Sequence, residues 1–180
     1  PDAVDLVFES LPAYSSLLVG CGMGQEKDTK RFIERLLLSG RTLPPTVVDA
    51  DGLNTLAQVD DWWTRLADNA ILTPHPGEMG RLTGNSSRNQ DRITAATSAA
   101  SRWNKTVILK GAYTVIGFPD GRAMVSSLSN PGLATAGTGD VLAKGLTGRQ
   151  HVAVGGIKRG HIIVLLRGVH RAADPFEGDP

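Results

Sequence analysis

The sequence predicts an α/β fold built on a mostly parallel sheet, and three observations carry that reading. Short apolar runs of strand length alternate with stretches of helical periodicity along most of the chain, the pattern of consecutive βα units. Several of the runs end in glycine-rich or acidic loops, as strands do where they deliver backbone to a ligand-binding edge. Two later β-rich runs flank Phe118-Pro119-Asp120-Gly121, a turn sequence that adds an antiparallel hairpin.

In chain order, Leu6-Val7-Phe8 reads as a short buried strand, and Ser15-Ser16-Leu17-Leu18-Val19 as a second that runs into Gly20-Cys21-Gly22-Met23-Gly24. Lys27 to Leu38 places Phe32, Ile33, Leu36 and Leu37 at helical spacing, with Gly40 as a stop signal. Pro44-Pro45 breaks the chain, Thr46-Val47-Val48-Asp49 restarts it as a strand, and a short helical stretch follows through Leu53 and Leu56. Ala70-Ile71-Leu72-Thr73 is the next strand, ended by Pro74 and Pro76. Asp91 to Trp103 reads as an alanine-rich helix that leads to the strand Thr106-Val107-Ile108-Leu109. Tyr113 to Ile116 and Arg122 to Ser126 form the hairpin, and a loop from Asn130 to Asp140 precedes a helix beginning at Val141.

Composition narrows the function classes. Nineteen Lys and Arg against eighteen Asp and Glu give a net charge of +1, which removes the basic footprint of a general nucleic-acid binder and any polybasic membrane patch. The one cysteine, Cys21, excludes an internal disulfide and a cysteine-built zinc site and fits a reducing, cytoplasmic setting. No apolar run has the length of a membrane span, and the start, with Asp2, Asp5 and Glu9, has no signal-peptide character. Twenty-one Gly and ten Pro exceed average usage without reaching the level of disorder, so the surplus belongs to particular loops. His151, His161 and His170 form no metal-ligand motif.

The loops that follow the parallel strands all fall at one edge of such a sheet, where ligands bind. Gly137-Thr138-Gly139-Asp140 before a helix has the chemistry of an anion site, because glycines let backbone N–H groups approach a phosphate and the helix end adds positive potential. Asp140 reads either as the N-cap of that helix or as a general base. Lys110 is a point charge for a phosphate or a solvated strand-end lysine. His75, between two prolines, is a ligand contact or a residue of a solvated turn. Glu78 suits a first-turn dipole partner, Asp49 and Asp51 are loop carboxylates or supports for Mg²⁺ through water, and Asn54 is a local cap or a ligand contact. Cys21 is best read as a small packing residue, and Trp62, Trp63 and Trp103 as core or rim.

Taken in order, Gly20-Cys21-Gly22-Met23-Gly24, Val48-Asp49-Ala50-Asp51-Gly52-Leu53-Asn54, Thr73-Pro74-His75-Pro76-Gly77-Glu78, Lys110-Gly111-Ala112-Tyr113-Thr114 and Asn130 to Asp140 resemble the ADP/ATP-dependent NAD(P)H-hydrate dehydratases of the ribokinase-like superfamily. Five ordered motifs are far more specific than one glycine pattern. The resemblance implies a three-layer sandwich with helices on both faces of the sheet, and an enzyme that repairs the S epimer of hydrated NADH or NADPH with ADP or ATP as co-substrate and Mg²⁺ accompanying the nucleotide. It implies Asp140 as the catalytic aspartate and Gly24, His75 and Asp140 as contacts of the hydrated dinucleotide. The adenine nucleotide would meet Lys110, Gly111, Ala112, Tyr113 and Thr114, and Gly137, Thr138 and Gly139 would meet its transferring phosphate, with Asp49, Asn54 and Glu78 in support. A homo-oligomer is also implied.

The resemblance departs from the family at Cys21, where Pro is usual, and at Ala136, where Gly is usual. It places residues 1–146 in a domain whose family counterpart starts further upstream, and 147–180 in a divergent tail. Two other readings accompany it: a small-molecule, vitamin-precursor kinase of the same superfamily, and a catalytically silent nucleotide-binding module.

Overall fold

The computed structural model describes residues 2–84 and 91–126, together with the backbone of two strands at 151–153 and 164–166. The chain begins with α1 (Ala3–Ser10), then β1 (Ser16–Val19), α2 (Lys27–Leu38), β2 (Thr46–Val48), α3 (Ala50–Leu56), β3 (Ala70–Leu72), α4 (Pro76–Thr83), α5 (Arg92–Trp103) and β4 (Thr106–Leu109). It continues with β5 (Val115–Gly117), β6 (Ala123–Val125), β7 (His151–Ala153) and β8 (Val164–Leu166). Among the described residues the eight strands join one sheet in the order β6-β5-β4-β3-β2-β1-β8-β7.

The centre of the sheet, β1 to β4, is parallel, with Leu17, Leu18 and Val19 in register with Thr46, Val47 and Val48, and these with Ala70, Ile71 and Leu72. Four parallel strands in sequential order, joined by crossovers of one hand, place their connecting helices on the same face. Accordingly Ile33, Leu36 and Leu37 of α2, Leu53 and Leu56 of α3, Met79 and Leu82 of α4, and Ala96, Ala100 and Trp103 of α5 pack in one cluster with Leu17, Val19, Val48, Leu72, Val107 and Leu109. Leu18, Cys21 and Val47 form a second cluster with Ile71 against it, the opposite face of alternating strand residues. Burial on both faces explains the continuous apolar runs of the central strands.

The hairpin is antiparallel as the turn sequence predicts, with Val115 opposite Val125 and Gly121 at φ +84° in the turn. Residues 147–180, set apart in the sequence reading, contain β7 and β8, and β8 pairs antiparallel with β1. The packing reading of the tryptophans holds for Trp62 and Trp103, which are fully buried with ring centroids 5.0 Å apart.

One element corrects the sequence reading. Leu6-Val7-Phe8 lies within helix α1, not in a strand. Asp2 caps it by accepting from the Val4 N–H at 3.2 Å, and Val4, Val7, Phe8 and Leu11 make the buried stripe. That stripe has helical spacing, and Leu6, which a strand would turn to the same side as Phe8, is exposed. The triple apolar run was too short to distinguish the two periods.

Helix α4 follows Pro74-His75-Pro76-Gly77, and Glu78 stands in its first turn, as the dipole-partner reading of that residue expects. Its cap is His75: the ring Nδ1 accepts from the N–H groups of Gly77 at 2.9 Å and Glu78 at 3.3 Å, while the Glu78 carboxylate accepts from the His75 N–H at 2.8 Å. This is a capping box with imidazole in the place of a hydroxyl or carboxylate, and Pro76 at the first helical position suits it.

Candidate functional site

Four of the five loops singled out by sequence lie at the carboxyl edge of β1 to β4 and are bonded to one another. The Asp49 N–H donates to Val19 O at 3.0 Å, the Asp51 N–H to Gly20 O at 3.3 Å, the Thr73 N–H to Val48 O at 3.2 Å, and the Lys110 N–H to Pro74 O at 2.8 Å. Each strand end is therefore pinned to the loop after its neighbour. The fifth loop, with Gly137, Thr138, Gly139 and Asp140, lies outside the described residues.

The glycine loop after β1 is shaped by close approach. Gly20 has φ +120°, and a Cβ there would lie 1.9 Å from Asp49 O, so only glycine lets β1 and the start of α3 meet. Gly24 is held by its N–H, which donates to Asp51 Oδ2 at 2.8 Å. Gln25 completes the clasp, its Nε2 donating to Asp51 O at 3.0 Å and Asp51 Oδ1 at 3.2 Å. Between these contacts Ala50 adopts φ +46°, a left-handed conformation that costs a non-glycine residue about 1 kcal/mol or more and is typically kept where a loop is held for a purpose.

Behind the loops lies a buried charge cluster. Asp49 is 1% exposed and Glu78 5%. Lys110 reaches Asp49 Oδ1 at 2.6 Å and stands 4.0 Å from Glu78 Oε2. Buried charges must be paired to be tolerated, and one ammonium here serves two carboxylates. Lys110 is thus neither a solvated lysine nor a free point charge, and Asp49 is no ordinary loop carboxylate. His75 is half-exposed, and its Nε2 lies 3.4 Å from Glu78 Oε1. A ring whose Nδ1 accepts two N–H bonds carries its proton on Nε2 when neutral. Asn54 joins neighbouring helices, its Oδ1 accepting from Arg81 Nε at 2.9 Å.

Among the described residues no group of three or more His, Cys, Asp or Glu could hold a metal ion. Oxygens of Asp49, Asp51 and Glu78 accept protein donors in this arrangement. No helix among the described residues is long and apolar enough to cross a membrane.

The segment after β4 is the most open part. Gly111, Ala112 and Tyr113 are exposed, with Tyr113 at 55%. It is strung between Lys110, held by Pro74 O, and Thr114, whose carbonyl accepts from the Ser126 N–H at 2.9 Å. Sequence reasoning missed two residues here: Gln25, which follows the glycine loop without a motif of its own, and Arg92, whose Nη2 donates to Leu109 O at 3.1 Å and Lys110 O at 3.0 Å. Nothing local marks Arg92, because its partners lie 17 and 18 residues away.

Comparison with known proteins finds relatives along most of the chain. The bifunctional NAD(P)H-hydrate repair enzyme of Moorella thermoacetica is 40% identical over 174 residues, covering 96% of this chain and 32% of its own length. The ADP-dependent (S)-NAD(P)H-hydrate dehydratase of Neisseria meningitidis serogroup B is 40% identical over 130 residues, covering 69% of this chain and 43% of its own. An ADP/ATP-dependent NAD(P)H-hydrate dehydratase from Bacillus subtilis, co-crystallized with ATP/Mg²⁺ and soaked with CoA, superposes with a TM-score of 0.59 at 31% identity over 76% of this chain and 48% of that one. The chain thus spans about a third to a half of these relatives. A family model for NAD(P)H-hydrate dehydratase matches residues 2–149, and with the ribokinase-like architecture and the four joined loops the chain belongs to that family.

Proposed function

We propose that the chain carries the site for nucleotide-dependent dehydration of (S)-hydrated NADH or NADPH, with ADP or ATP as co-substrate supplied as its magnesium complex. The observation that supports this best is the convergence of Gly20–Gly24, Asp49–Asn54, Thr73–Glu78 and Lys110–Thr114 on one sheet edge, joined by main-chain bonds. In this reading Gly24 and His75 face the hydrated dinucleotide, and Lys110, Gly111, Ala112, Tyr113 and Thr114 the adenine nucleotide. Asp49, Asn54 and Glu78 hold these loops in place. Gly137, Thr138 and Gly139 would receive the transferring phosphate, and Asp140 the proton of the ring hydroxyl.

The chemistry has two stages. The terminal phosphoryl group passes to the ring hydroxyl as Asp140 takes its proton, which turns a poor leaving group into a good one. The ring C–O bond then breaks with loss of a ring proton, releasing phosphate and restoring the double bond. Phosphoryl transfer of this kind is governed by positioning and electrostatics, which suits loops pinned to one another. The rest of the reading is a homo-oligomer in the cytoplasm, with residues 1–146 forming the dehydratase domain and 147–180 a divergent continuation.

The test is recovery of reduced-nicotinamide absorbance from (S)-hydrated NADH with Mg²⁺ and ADP or ATP. Asp140→Asn is expected to abolish turnover, by a factor of about a thousand or more, while nucleotide binding survives. A folded chain that gives no recovery, or a variant with undiminished turnover, overturns the corresponding part of the reading. A stable phosphorylated product without elimination would point instead to a small-molecule kinase.

A further inference from the structure

We propose that Arg92 is a positioning residue for the Lys110–Thr114 loop, setting the course of the main chain that meets the adenine nucleotide; this rests on the dehydratase reading above. Arg92 is the first residue of α5, after the capping Asp91, and its guanidinium crosses to the end of β4. There Nη2 donates to both Leu109 O and Lys110 O, at 3.1 and 3.0 Å. The Lys110 N–H is meanwhile bound to Pro74 O. The residue at which the strand becomes the loop is held from both sides, so its peptide cannot turn freely.

Gly111 supplies an independent observation. A Cβ there would lie 2.1 Å from Arg92 Nη1, 2.3 Å from Nη2 and 2.6 Å from Cζ. The φ of Gly111 is not among the positive ones, so an added Cβ would meet no left-handed backbone strain but would displace the guanidinium end of Arg92. Arg92 Nε is buried with no hydrogen-bond partner among the described residues, which costs free energy. A half-buried arginine kept in place at that cost, against the glycine that leaves room for it, is positioned for the loop beside it. A planar fork can hold adjacent carbonyls in a fixed geometry where an ammonium cannot, and a loop ordered before binding spends less affinity on becoming ordered.

The test combines calorimetry with ADP, ATP and hydrated NADH, and thermal melting, on the wild type, Arg92→Ala, Arg92→Lys, Gly111→Ala and the double variant Arg92→Ala with Gly111→Ala. Arg92→Ala should weaken nucleotide binding about tenfold and leave the affinity for hydrated NADH unchanged. Added guanidinium should restore the alanine variant, and Arg92→Lys should remain weak. Gly111→Ala should lower the melting temperature where Arg92 is present and have little effect where it is absent. Equal nucleotide affinity in Arg92→Ala, equal loss of both ligands, or the same cost of Gly111→Ala in both backgrounds would each overturn the proposal. A wild type that binds neither nucleotide would remove the dehydratase reading, while the melting cycle still decides whether Arg92 sets the loop.

Discussion

The two ends of β4 each carry a lysine and each make an ion pair, yet the pairs are built in opposite ways. Before the strand, Lys105 is 1% exposed and its partner Asp68, 2.9 Å away, is 80% exposed. After the strand, Lys110 is 20% exposed and its partner Asp49 is 1% exposed. The Lys105 ammonium also donates to Trp103 O at 3.2 Å and Asn104 O at 3.4 Å, so its three protons are satisfied and its carboxylate remains in water. At Lys110 one ammonium faces two buried carboxylates. The first arrangement is saturated and fastens the chain between α5 and β4. The second sets one ammonium between two buried carboxylates, among the described residues, at the edge where four loops meet, an arrangement that tolerates little change.

On that contrast, Lys110→Met is the most damaging change. It strands Asp49 and Glu78 in the interior and should cost about 3 kcal/mol in urea unfolding, the lower part of the range for a broken buried pair because Lys110 keeps some exposure. Lys105→Met should cost less, about 1–2 kcal/mol, since Asp68 is already hydrated and the loss is that of donors to two carbonyls. Equal costs at the two ends would break the comparison. Adding Glu78→Gln to Lys110→Met should recover about 1 kcal/mol by removing one of two like charges, because glutamine can still accept from the His75 N–H; a further loss would show that Glu78 serves through its charge alone.

The smallest effect belongs to Asp68. The hydrogen bond from Lys105, followed by its charge, holds the Asp68 carboxyl below the usual aspartate range. A depressed folded-state value means stability that is present above the ordinary aspartate pKa and is lost as the pH falls through the lower folded value. Asp68→Ala should therefore lower stability modestly at pH 7, where the buried Lys105 ammonium loses its counter-ion, and should flatten the acid limb of the stability curve, as read by melting between neutral and strongly acidic pH. An acid limb identical to that of the wild type would remove this pair from the electrostatic account.

Much of the fold was legible because central strands buried on both faces read as continuous apolar runs, and because α2 and α5 are long enough for their period to be unambiguous. Lys27–Leu38 and Thr106–Leu109 have the same limits in sequence and structure. Where the local signal was short it misled, as with the triple apolar run Leu6-Val7-Phe8 inside α1, and the imidazole cap of α4 between two prolines was not legible as a cap. The loops of the site were legible from glycines and acidic residues at strand ends. Their joining was not, since Lys110 and Asp49 are 61 residues apart and Arg92 has no motif.

The sequence by itself determined the parallel core, the edge on which chemistry must lie and the family of the chain, because periodicity, glycine placement and ordered motifs are properties of neighbouring residues. Tertiary structure decided the rest: that Lys110 is bound inward by Asp49 and Glu78, that His75 caps a helix while facing Glu78, and that Gly111 makes room for Arg92. These depend on which strand ends are brought side by side. Burial then converts ordinary charged and small residues into partners that cannot be exchanged independently.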